Sequence, residues 1–287
     1  MLTPADAIDV VEDSFRRLAA GEMENMPRYR VRLDGGALAV MSAVDRERRL
    51  ACVKTYVATA EGASFVVVLF AGGDTEAVIE ADRLGQLRTG AASAVAAKHL
   101  ARPDARILGV IGCGTQARTQ VACIRKALPR IERVIAYCRS EERLELFCRE
   151  VGAEPGESHR DPATADVVVT ITTSRDPVLR GEWLRPGTLV CAAGANRAQA
   201  RELDNAVLER AAFVCCDSLD DAKLESGDLI EPVEQGILDW LEVHELQEVV
   251  AGNVPGRQSD DDIVVFKSNG LAAWDLAVAA RVAELAR

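Results

Sequence analysis

The chain has 287 residues, of which 48% are hydrophobic and 28% are charged, and its formal net charge is −11. This composition is typical of a globular protein, and the length is sufficient for two domains that each bury a core. The negative charge argues against nucleic acid and anionic membranes as partners, because both would repel it.

The N-terminal segment predicts an amphipathic helix. Apolar residues recur at helical spacing from Ile8 to Leu18, after the capping pair Thr3-Pro4 and before Gly21. The segment is acidic and lacks the basic region and apolar core of a signal peptide. No apolar run in the chain approaches the roughly 20 residues of a membrane span. We therefore expect a cytoplasmic protein that does not cross a membrane.

Short strand-like runs follow this helix, and glycine turns at 34–36 and 72–74 separate some of them. The runs are RYRVRL, ALAVMSA, LACVKTYVA, SFVVVLF and EAVIEA. Such runs predict an antiparallel meander. Residues 84–101 then predict a helix rich in small residues, which Pro103 ends.

From Arg106 the pattern changes to strands that alternate with helices. The strand-like runs are RILGVIG, RVIAYC, ADVVVTITT, TLVCAAGA and AFVCCDS. Continuous β-branched runs are typical of parallel strands covered on both faces, and the alternation predicts a doubly wound α/β sheet. The final segments, DIVVFKSNG and the apolar helix LAAWDLAVAARVAELA, interrupt this alternation. We expect the terminal helix to pack on the first domain.

The eight cysteines show neither a CxxC pair nor clustering with the three histidines. Metal sites in proteins usually have such spacing, so none is expected here. Several of the cysteines lie in apolar runs, where a reduced Cys acts as a small core residue. We therefore expect no structural disulfides.

The segment LGVIGCGTQART, residues 108–119, has the features of a dinucleotide-binding turn. Gly112 permits a tight turn, Gly114 lets a pyrophosphate approach the backbone, and the following helix presents N–H donors at its start. Ala117 takes the third glycine position. An ordinary strand–helix turn is the alternative, but the flanking strand and helix favour a nucleotide.

The end of the next strand, Tyr137-Cys138-Arg139-Ser140, predicts which dinucleotide binds. NAD sites usually have an Asp or Glu there, which accepts hydrogen bonds from the ribose hydroxyls. Arg139 cannot accept such bonds, but its guanidinium suits a 2′-phosphate, to which Ser140 can also donate. NADP(H) is therefore preferred and NAD(H) stays possible. The alternative is that Arg139 is a solvated loop residue.

Three ordered segments resemble the ornithine cyclodeaminase/mu-crystallin family. They are LGQLRTGAASAVAAKHLARPDARILGVIGCGTQA, AAGANRAQARELD and FKSNGLAAWDLAVA. The resemblance implies a Rossmann-type doubly wound parallel sheet plus a discontinuous α+β domain for substrate binding and dimerisation. Residues 1–105 with 266–287 would form the substrate domain, and residues 106–265 would bind NAD(P). The resemblance also implies a homodimer formed through the substrate domains.

The resemblance further implies which residues bind ligands. On the substrate side these are Arg28 or Arg30, Lys54, Arg88 and Asn269. On the cofactor side they are Thr115, Gln116, Thr172 or Thr173, Ala193, Gly194 and Ser268, besides the residues named above. The implied catalytic positions are Lys54 and Asn196.

Arg88 and Lys54 also suit the chemistry of an amino or imino acid on general grounds. A planar carboxylate is best held by a bidentate guanidinium, and a cation in a close-packed helix is costly unless it is paired. An ion pair of Arg88 with Asp82 or Glu80 is the alternative. Lys54 interrupts an apolar strand. It is either a surface lysine or a buried one, whose lowered pKa would suit proton transfer.

Asn196 departs from the family pattern, because members that cyclodeaminate or act on alanine carry Asp in the block that reads Gly-Ala-Asn here. A carboxylate can deprotonate a substrate ammonium, whereas an amide cannot. We therefore expect an NAD(P)H-dependent oxidoreductase that reduces a small, cyclic imino acid or interconverts an amino acid and its imine. One alternative is an ornithine or lysine cyclodeaminase, a lyase that releases ammonia with recycled NAD. The other is a mu-crystallin-like binding protein with residual activity.

Overall fold

A computed structural model describes residues 2–287, which form a mixed α/β structure with two separate sheets. The chain divides into two compact units. The first contains the residues up to Arg88 together with Leu271–Arg287, and the second is Thr89–Gly270. The first boundary falls within a helix, Asp82–Leu100.

The first unit contains an antiparallel meander of five strands in chain order, as the short runs predict. Its elements up to the boundary helix are α1 (Pro4–Ala19), β1 (Met23–Leu33), β2 (Gly36–Asp45), β3 (Leu50–Thr59), β4 (Ala63–Ala71), β5 (Asp74–Glu80) and α2 (Asp82–Leu100). A capping box starts α1: the Thr3 side chain accepts from the Asp6 N–H at 3.2 Å, and the Asp6 carboxylate accepts from the Thr3 N–H at 3.1 Å. The C-terminal helix, Ala272–Ala286, packs on α1 and on the sheet.

The sheet of this unit has one covered face and one apolar face that is open to solvent. Met41, Lys54 and Val67 pair across β2, β3 and β4, and all three are buried on the covered face. On the opposite face, apolar side chains are exposed, by 73% for Tyr29 and 68% for Val78. This outer face includes Tyr29, Val31, Val40, Val44, Val57 and Val78.

The second unit contains an eight-stranded sheet whose strands are all parallel, in the order β12-β11-β13-β10-β9-β6-β7-β8. Its elements are β6 (Ile107–Ile111), α3 (Thr115–Ala127), β7 (Arg133–Tyr137), α4 (Glu141–Val151), β8 (Glu154–Pro155), α5 (Arg160–Ala163), β9 (Val167–Thr170), β10 (Leu189–Ala192), α6 (Asn205–Arg210), β11 (Ala211–Cys216), α7 (Leu219–Glu225), α8 (Gly227–Glu234), β12 (Val243–Glu245), α9 (Leu246–Val250) and β13 (Ile263–Lys267); the C-terminal helix is α10. The central strands β9, β10 and β13 are buried throughout. The predicted doubly wound α/β fold is confirmed.

The segment DIVVFKSNG does not interrupt this fold, so that prediction was wrong. It contains β13, which lies between β10 and β11 and is parallel to both. The elements before it are very short, with only three residues in β12 and five in α9. Such short elements hide the alternation in the sequence. As a result, residues 268–270 lie at the carboxyl end of the parallel sheet.

The direction of the strand order reverses at β6, which has β7 on one side and β9 on the other. Ligands of doubly wound sheets bind outside the carboxyl ends of the strands at such a reversal. Three segments lie at the carboxyl ends of β9, β10 and β13, namely residues 171–173, 193–196 and 268–270. We refer to them as the carboxyl-end loops.

Within residues 2–287, no helix is long and apolar enough to cross a membrane. The same residues contain no group of three or more His, Cys, Asp or Glu side chains that could hold a metal ion. All eight cysteines are free thiols.

Candidate active site

The glycine turn after β6 has the backbone geometry that a dinucleotide requires. Gly112 has a φ of 110°, and a Cβ there would lie 2.4 Å from the carbonyl oxygen of Ile171. At Gly114 an added Cβ would have no atom within 4 Å, so the space beside the backbone is open. Gly114 also caps α3 without a side-chain hydrogen bond, which leaves the first N–H groups of Thr115 and Gln116 for a ligand.

The third position of the motif, Ala117, is fully buried. A small residue is needed there for close packing of the helix on the sheet. In the same turn Thr115 is exposed and Gln116 is half-buried. The structure therefore places both side chains at the start of α3, and their contact with a cofactor stays a prediction.

The loop after β7 presents an exposed arginine. Arg139 is exposed and makes no ion pair with a carboxylate of residues 2–287. Ser140 caps α4, with its side chain accepting from the Arg143 N–H at 3.4 Å. His159 stands edge-on to the Tyr137 ring at 4.7 Å, and burial together with the Arg139 charge lowers the pKa of His159. An exposed guanidinium and a hydroxyl thus follow one another at this strand end.

Two of the carboxyl-end loops are bound by one buried carboxylate, Glu202, which sequence reasoning missed. Its Oε1 accepts from the Thr172 N–H at 2.6 Å and from the Thr172 hydroxyl at 2.8 Å. Its Oε2 accepts from the Gly194 N–H at 2.7 Å, the Ala195 N–H at 3.1 Å and the Thr170 hydroxyl at 3.0 Å. Burial raises the pKa of Glu202, and the Lys267 charge opposes this shift.

A buried lysine at the end of β13 contacts the same region. Lys267 is fully buried and lies 3.0 Å from Oδ2 of Asp228. Its Nζ also donates to the carbonyl oxygens of Ala192 and Ala195. The other oxygen of Asp228 accepts from the N–H groups of Glu202 and the following residue, at 2.7 and 2.9 Å.

The third carboxyl-end loop is bound by Asp217. One carboxylate oxygen accepts from the Ser268 hydroxyl at 3.0 Å and from the N–H groups of Asn269 and Gly270 at 2.7 and 2.6 Å. The Ser268 hydroxyl is therefore directed toward Asp217. Asn269 is also buried in the second unit, and its assignment to the substrate stays a prediction.

The remaining predicted positions in these loops are more accessible. Thr173 is exposed, whereas Ala193, Gly194 and Asn196 are half-buried. Asn196 directly follows Ala195, whose N–H donates to Glu202. Its backbone position is therefore set by the Glu202 contacts, and its catalytic role stays a prediction.

In the first unit, Lys54 and Arg88 contact Asp275, and together with Arg28, whose charge acts on Lys54, they form a cationic cluster. Lys54 lies 2.8 Å from Oδ1 of Asp275, and Nε of Arg88 lies 3.3 Å from the same oxygen. Lys54 is only 2% exposed and Asp275 is fully buried. Burial and then the Arg88 charge lower the pKa of Lys54 to about 8, and Asp275 opposes this shift. The surface alternative for Lys54 is therefore wrong.

Arg88 has an ion-pair partner that the sequence did not suggest. The alternative named Asp82 or Glu80, but the partner is Asp275, 187 residues away. The guanidinium also lies over the Trp274 ring at 5.6 Å. Its two terminal nitrogens have no carboxylate partner in residues 2–287. They are therefore the donors available to a planar anion.

Of the two candidate arginines in β1, Arg28 is the buried one. It is 8% exposed, its Nε lies 3.3 Å from the Met41 sulfur, and its charge contributes to the lowered pKa of Lys54. Arg30 is half-buried on the same strand. The burial and the charge coupling favour Arg28 as a member of the cluster.

Comparisons with known proteins show the family and the fold of this chain. The sequence model of the ornithine cyclodeaminase/mu-crystallin family matches residues 1–287, which confirms the resemblance. An alanine dehydrogenase of Archaeoglobus fulgidus is 35% identical, over 99% of this chain and 91% of that protein.

Two solved structures are similar over the full length of this chain. One is a Delta(1)-pyrroline-2-carboxylate reductase of Thermococcus litoralis in complex with NADH and L-proline, with a TM-score of 0.94 and 31% identity, covering 100% of this chain and 94% of that one. The other is an archaeal alanine dehydrogenase dimer with bound NAD, with a TM-score of 0.93 and 33% identity, covering 100% and 92%.

Proposed function

The chain belongs to the ornithine cyclodeaminase/mu-crystallin family, and we propose that it uses a reduced nicotinamide dinucleotide to reduce a small imino acid. The relatives named above are dehydrogenases and reductases of amino and imino acids, which supports an oxidoreductase. We propose a cyclic imine that carries a carboxylate as the substrate, or its open-chain equivalent.

The observation that carries this proposal is the charge balance in the cationic cluster. Lys54 and Arg88 share one carboxylate oxygen of Asp275. Two buried cations on one carboxylate leave an excess positive charge, and a buried excess charge is costly unless an anion neutralises it. A substrate carboxylate supplies that anion, and Arg88 can bind it through the two nitrogens that Asp275 leaves available.

The second unit fits a dinucleotide. The positive φ of Gly112, the open space at Gly114 and the free start of α3 would hold the pyrophosphate. When bound, the cofactor supplies the hydride for the imine carbon. The exposed Arg139 and the neighbouring Ser140 support a preference for NADPH, because a guanidinium binds a 2′-phosphate with charge-assisted hydrogen bonds.

Lys54 would provide the proton for the imine nitrogen. Its pKa of about 8 keeps the ammonium mostly protonated at neutral pH and still acidic enough to donate. Asp275 holds Nζ at 2.8 Å and so fixes its direction. Asn196 supports reduction over cyclodeamination, because an amide cannot take the proton of a substrate ammonium.

The test is a panel of cyclic imines and amino acids assayed with NADPH and NADH by nicotinamide absorbance. We expect stoichiometric oxidation of NADPH with a preformed cyclic imino acid. Ornithine with NAD⁺ should release little ammonia. Efficient ammonia and proline formation without net cofactor consumption would overturn the proposal and support the cyclodeaminase. Saturable ligand binding without turnover would support the binding protein.

The outer face of the antiparallel sheet supports a homodimer formed through the first unit. Its exposed tyrosine and valine side chains are contiguous across paired strands. Contiguous apolar surface of this kind marks protein interfaces, and a second copy of the same face is self-complementary under two-fold symmetry. Sedimentation of the wild type and of Val40→Lys should show a dimer and a monomer, respectively. A monomeric wild type would exclude this interface.

A further inference from the structure

We propose that Glu202 is a positioning residue that shapes the binding surface for the nicotinamide ring, with Lys267 and Asp217 as its supports. The inference rests on the proposed function, because it assumes that a nicotinamide dinucleotide binds to the second unit. Glu202 is fully buried. It therefore acts through the loops it holds and not by contact with the ring.

The loops that Glu202 holds lie on the nicotinamide side of the sheet. A dinucleotide lies across the reversal of strand order, with its pyrophosphate at the glycine turn. Arg139 follows β7, on one side of β6, so the adenosine half belongs there. The nicotinamide half then belongs over β9, β10 and β13. Glu202 binds Thr172 after β9 and Gly194 after β10.

The contacts of Glu202 determine what these loops can offer a ligand. The N–H groups of Thr172, Gly194 and Ala195 are all directed inward to its carboxylate. Five of the seven N–H groups in residues 171–173 and 193–196 are therefore bound within the protein, so these two loops offer a ligand mainly backbone carbonyl oxygens. Acceptors match a primary carboxamide, which has two N–H donors, and the nicotinamide ring carries such a group.

The same contacts suit the ionised form of Glu202, which can accept at both oxygens. Both oxygens accept from N–H and hydroxyl donors, two on Oε1 and three on Oε2. A glutamine has the same shape, but its NH2 group would face these donors on one side. Glu202→Gln therefore loses at least one hydrogen bond from a backbone N–H, because a hydroxyl can turn to accept and an N–H cannot, and it opens no cavity.

Glu202 binds backbone N–H groups, whereas Lys267 binds backbone carbonyl oxygens. Asp217 binds the third loop. Lys267 donates to the carbonyl oxygens of Ala192 and Ala195, and its partner Asp228 accepts from the Glu202 N–H. Asp217 accepts from residues 268–270 after β13. Glu202, Asp228 and Lys267 thus hold the loops after β9 and β10, and Asp217, whose N–H donates to the Lys267 carbonyl oxygen at 3.2 Å, holds the third.

The experiment compares NADPH with 2′-phospho-ADP-ribose, which lacks the nicotinamide ring. We expect Glu202→Gln to raise the Kd of NADPH about tenfold, the scale of one lost hydrogen bond to a charged group, while the Kd of the fragment changes less than about twofold. Both Kd values are measured by calorimetry on the full chain. Thr170→Val removes one donor to Glu202 without altering a loop, so it should give a smaller change of the same sign.

Asp262→Asn is the matched control. Asp262 also accepts hydrogen bonds from two backbone N–H groups, those of Gln258 and Ser259, at 2.9 and 2.8 Å. It directly precedes β13 and therefore lies at the amino end of that strand, away from the carboxyl-end loops. Neither Kd should change in this variant. Equal weakening of NADPH and the fragment by Glu202→Gln, or no weakening of either, would overturn the inference. A wild type that binds neither ligand would instead refute the proposed cofactor.

Discussion

Lys54 and Lys267 have similar burial but different surroundings. Each lies in a strand, is at most 2% exposed and contacts an aspartate, at 2.8 Å for Lys54 and 3.0 Å for Lys267. Lys267 also donates to two backbone carbonyl oxygens. Lys54 instead shares its aspartate with a second cation, Arg88.

On the proposed function, this difference separates a structural charge from one prepared for a ligand. Buried charges are stable when protein groups satisfy them, as they do for Lys267. In the cationic cluster, Asp275 has to serve two cations. On the proposed function, the remaining partner of this positive site is the substrate carboxylate. The comparison predicts that Lys54→Met affects activity more than stability and that Lys267→Met affects stability more than activity.

Replacement of Lys54 by Met should have the largest effect on activity. Loss of the proton donor is expected to lower kcat for imine reduction by about 10²–10⁴-fold. Arg88 remains beside Asp275, so the free energy of unfolding should change much less. Steady-state kinetics and urea unfolding measure the two effects. Lys126→Met, on the exposed surface of α3, is the control and should change neither.

Replacement of Lys267 by Met should have its largest effect on stability, besides the weaker NADPH binding expected from the loops that Lys267 supports. It leaves Asp228 buried without its cation, which is expected to lower the free energy of unfolding by about 3–5 kcal/mol. Urea unfolding monitored by tryptophan fluorescence tests this. A variant with wild-type stability would show that the Lys267 cluster is not structural, and the comparison would fail.

The two lysines lie in similar sequence surroundings, but only Lys54 was predicted to be a site residue. Each interrupts or ends an apolar run, CVKTYV or IVVFK. The family pattern singled out Lys54, whereas Lys267 was passed over beside Ser268. The partners Asp275 and Asp228 could not be predicted, because they come from distant parts of the chain and pairing depends on the folded arrangement of the strands.

The fold was more predictable than the site. Continuous β-branched runs and glycine turns act locally, so they predicted both the meander and the parallel sheet. Glu202 and Asp217 contact residues up to 32 and 53 positions away, and their own segments, AQARELD and FVCCDS, carry no local sign of these contacts. Nothing local distinguishes a buried carboxylate that accepts backbone N–H groups from one on the surface. The position of β13 in the sheet could not be predicted either, because β12 and α9 are too short to give a clear pattern in the sequence.

Arg88→Lys sharpens the comparison within the cationic cluster. Lysine keeps the charge but loses the planar pair of donors, which is worth roughly 1.5–3 kcal/mol for a charged partner. KM for the imino acid should rise about tenfold to a hundredfold, with the Kd of NADPH unchanged. Arg83→Lys, exposed in the same helix, is the control. Unaltered kinetics for every substrate would make Arg88 structural.

Arg139 extends the comparison to an exposed cation without a carboxylate partner. Solvent weakens such a contact, so Arg139→Ala should raise the Kd of NADPH by about tenfold, near the lower end of charge-assisted bonds. The Kd of NADH should stay the same. Arg143→Ala, exposed on α4, controls for a general loss of positive charge. Equal wild-type affinities for NADPH and NADH would contradict the 2′-phosphate assignment.

The pH dependence of kcat tests the cationic cluster through the loss of a single proton from Lys54. Burial and the Arg88 charge lower the pKa of Lys54 to about 8. Reduction needs the protonated lysine, so kcat should fall above that pH, by about tenfold one unit higher. Oxidation of the amino acid needs the neutral lysine and should instead rise with pH. If kcat of Lys54→Met fell over the same pH range, the titration would belong to another group.

The apolar outer face makes protein concentration a variable in these measurements. If two copies cover it, dissociation on dilution returns its tyrosine and valine side chains to water. For an obligate dimer, each tenfold dilution removes about 1.4 kcal/mol from the apparent stability by mass action. The thermal midpoint should therefore rise with protein concentration, and variants are comparable only at equal concentrations. At the low protein concentration of an activity assay the monomer would be more populated than at the high concentration of a calorimeter cell.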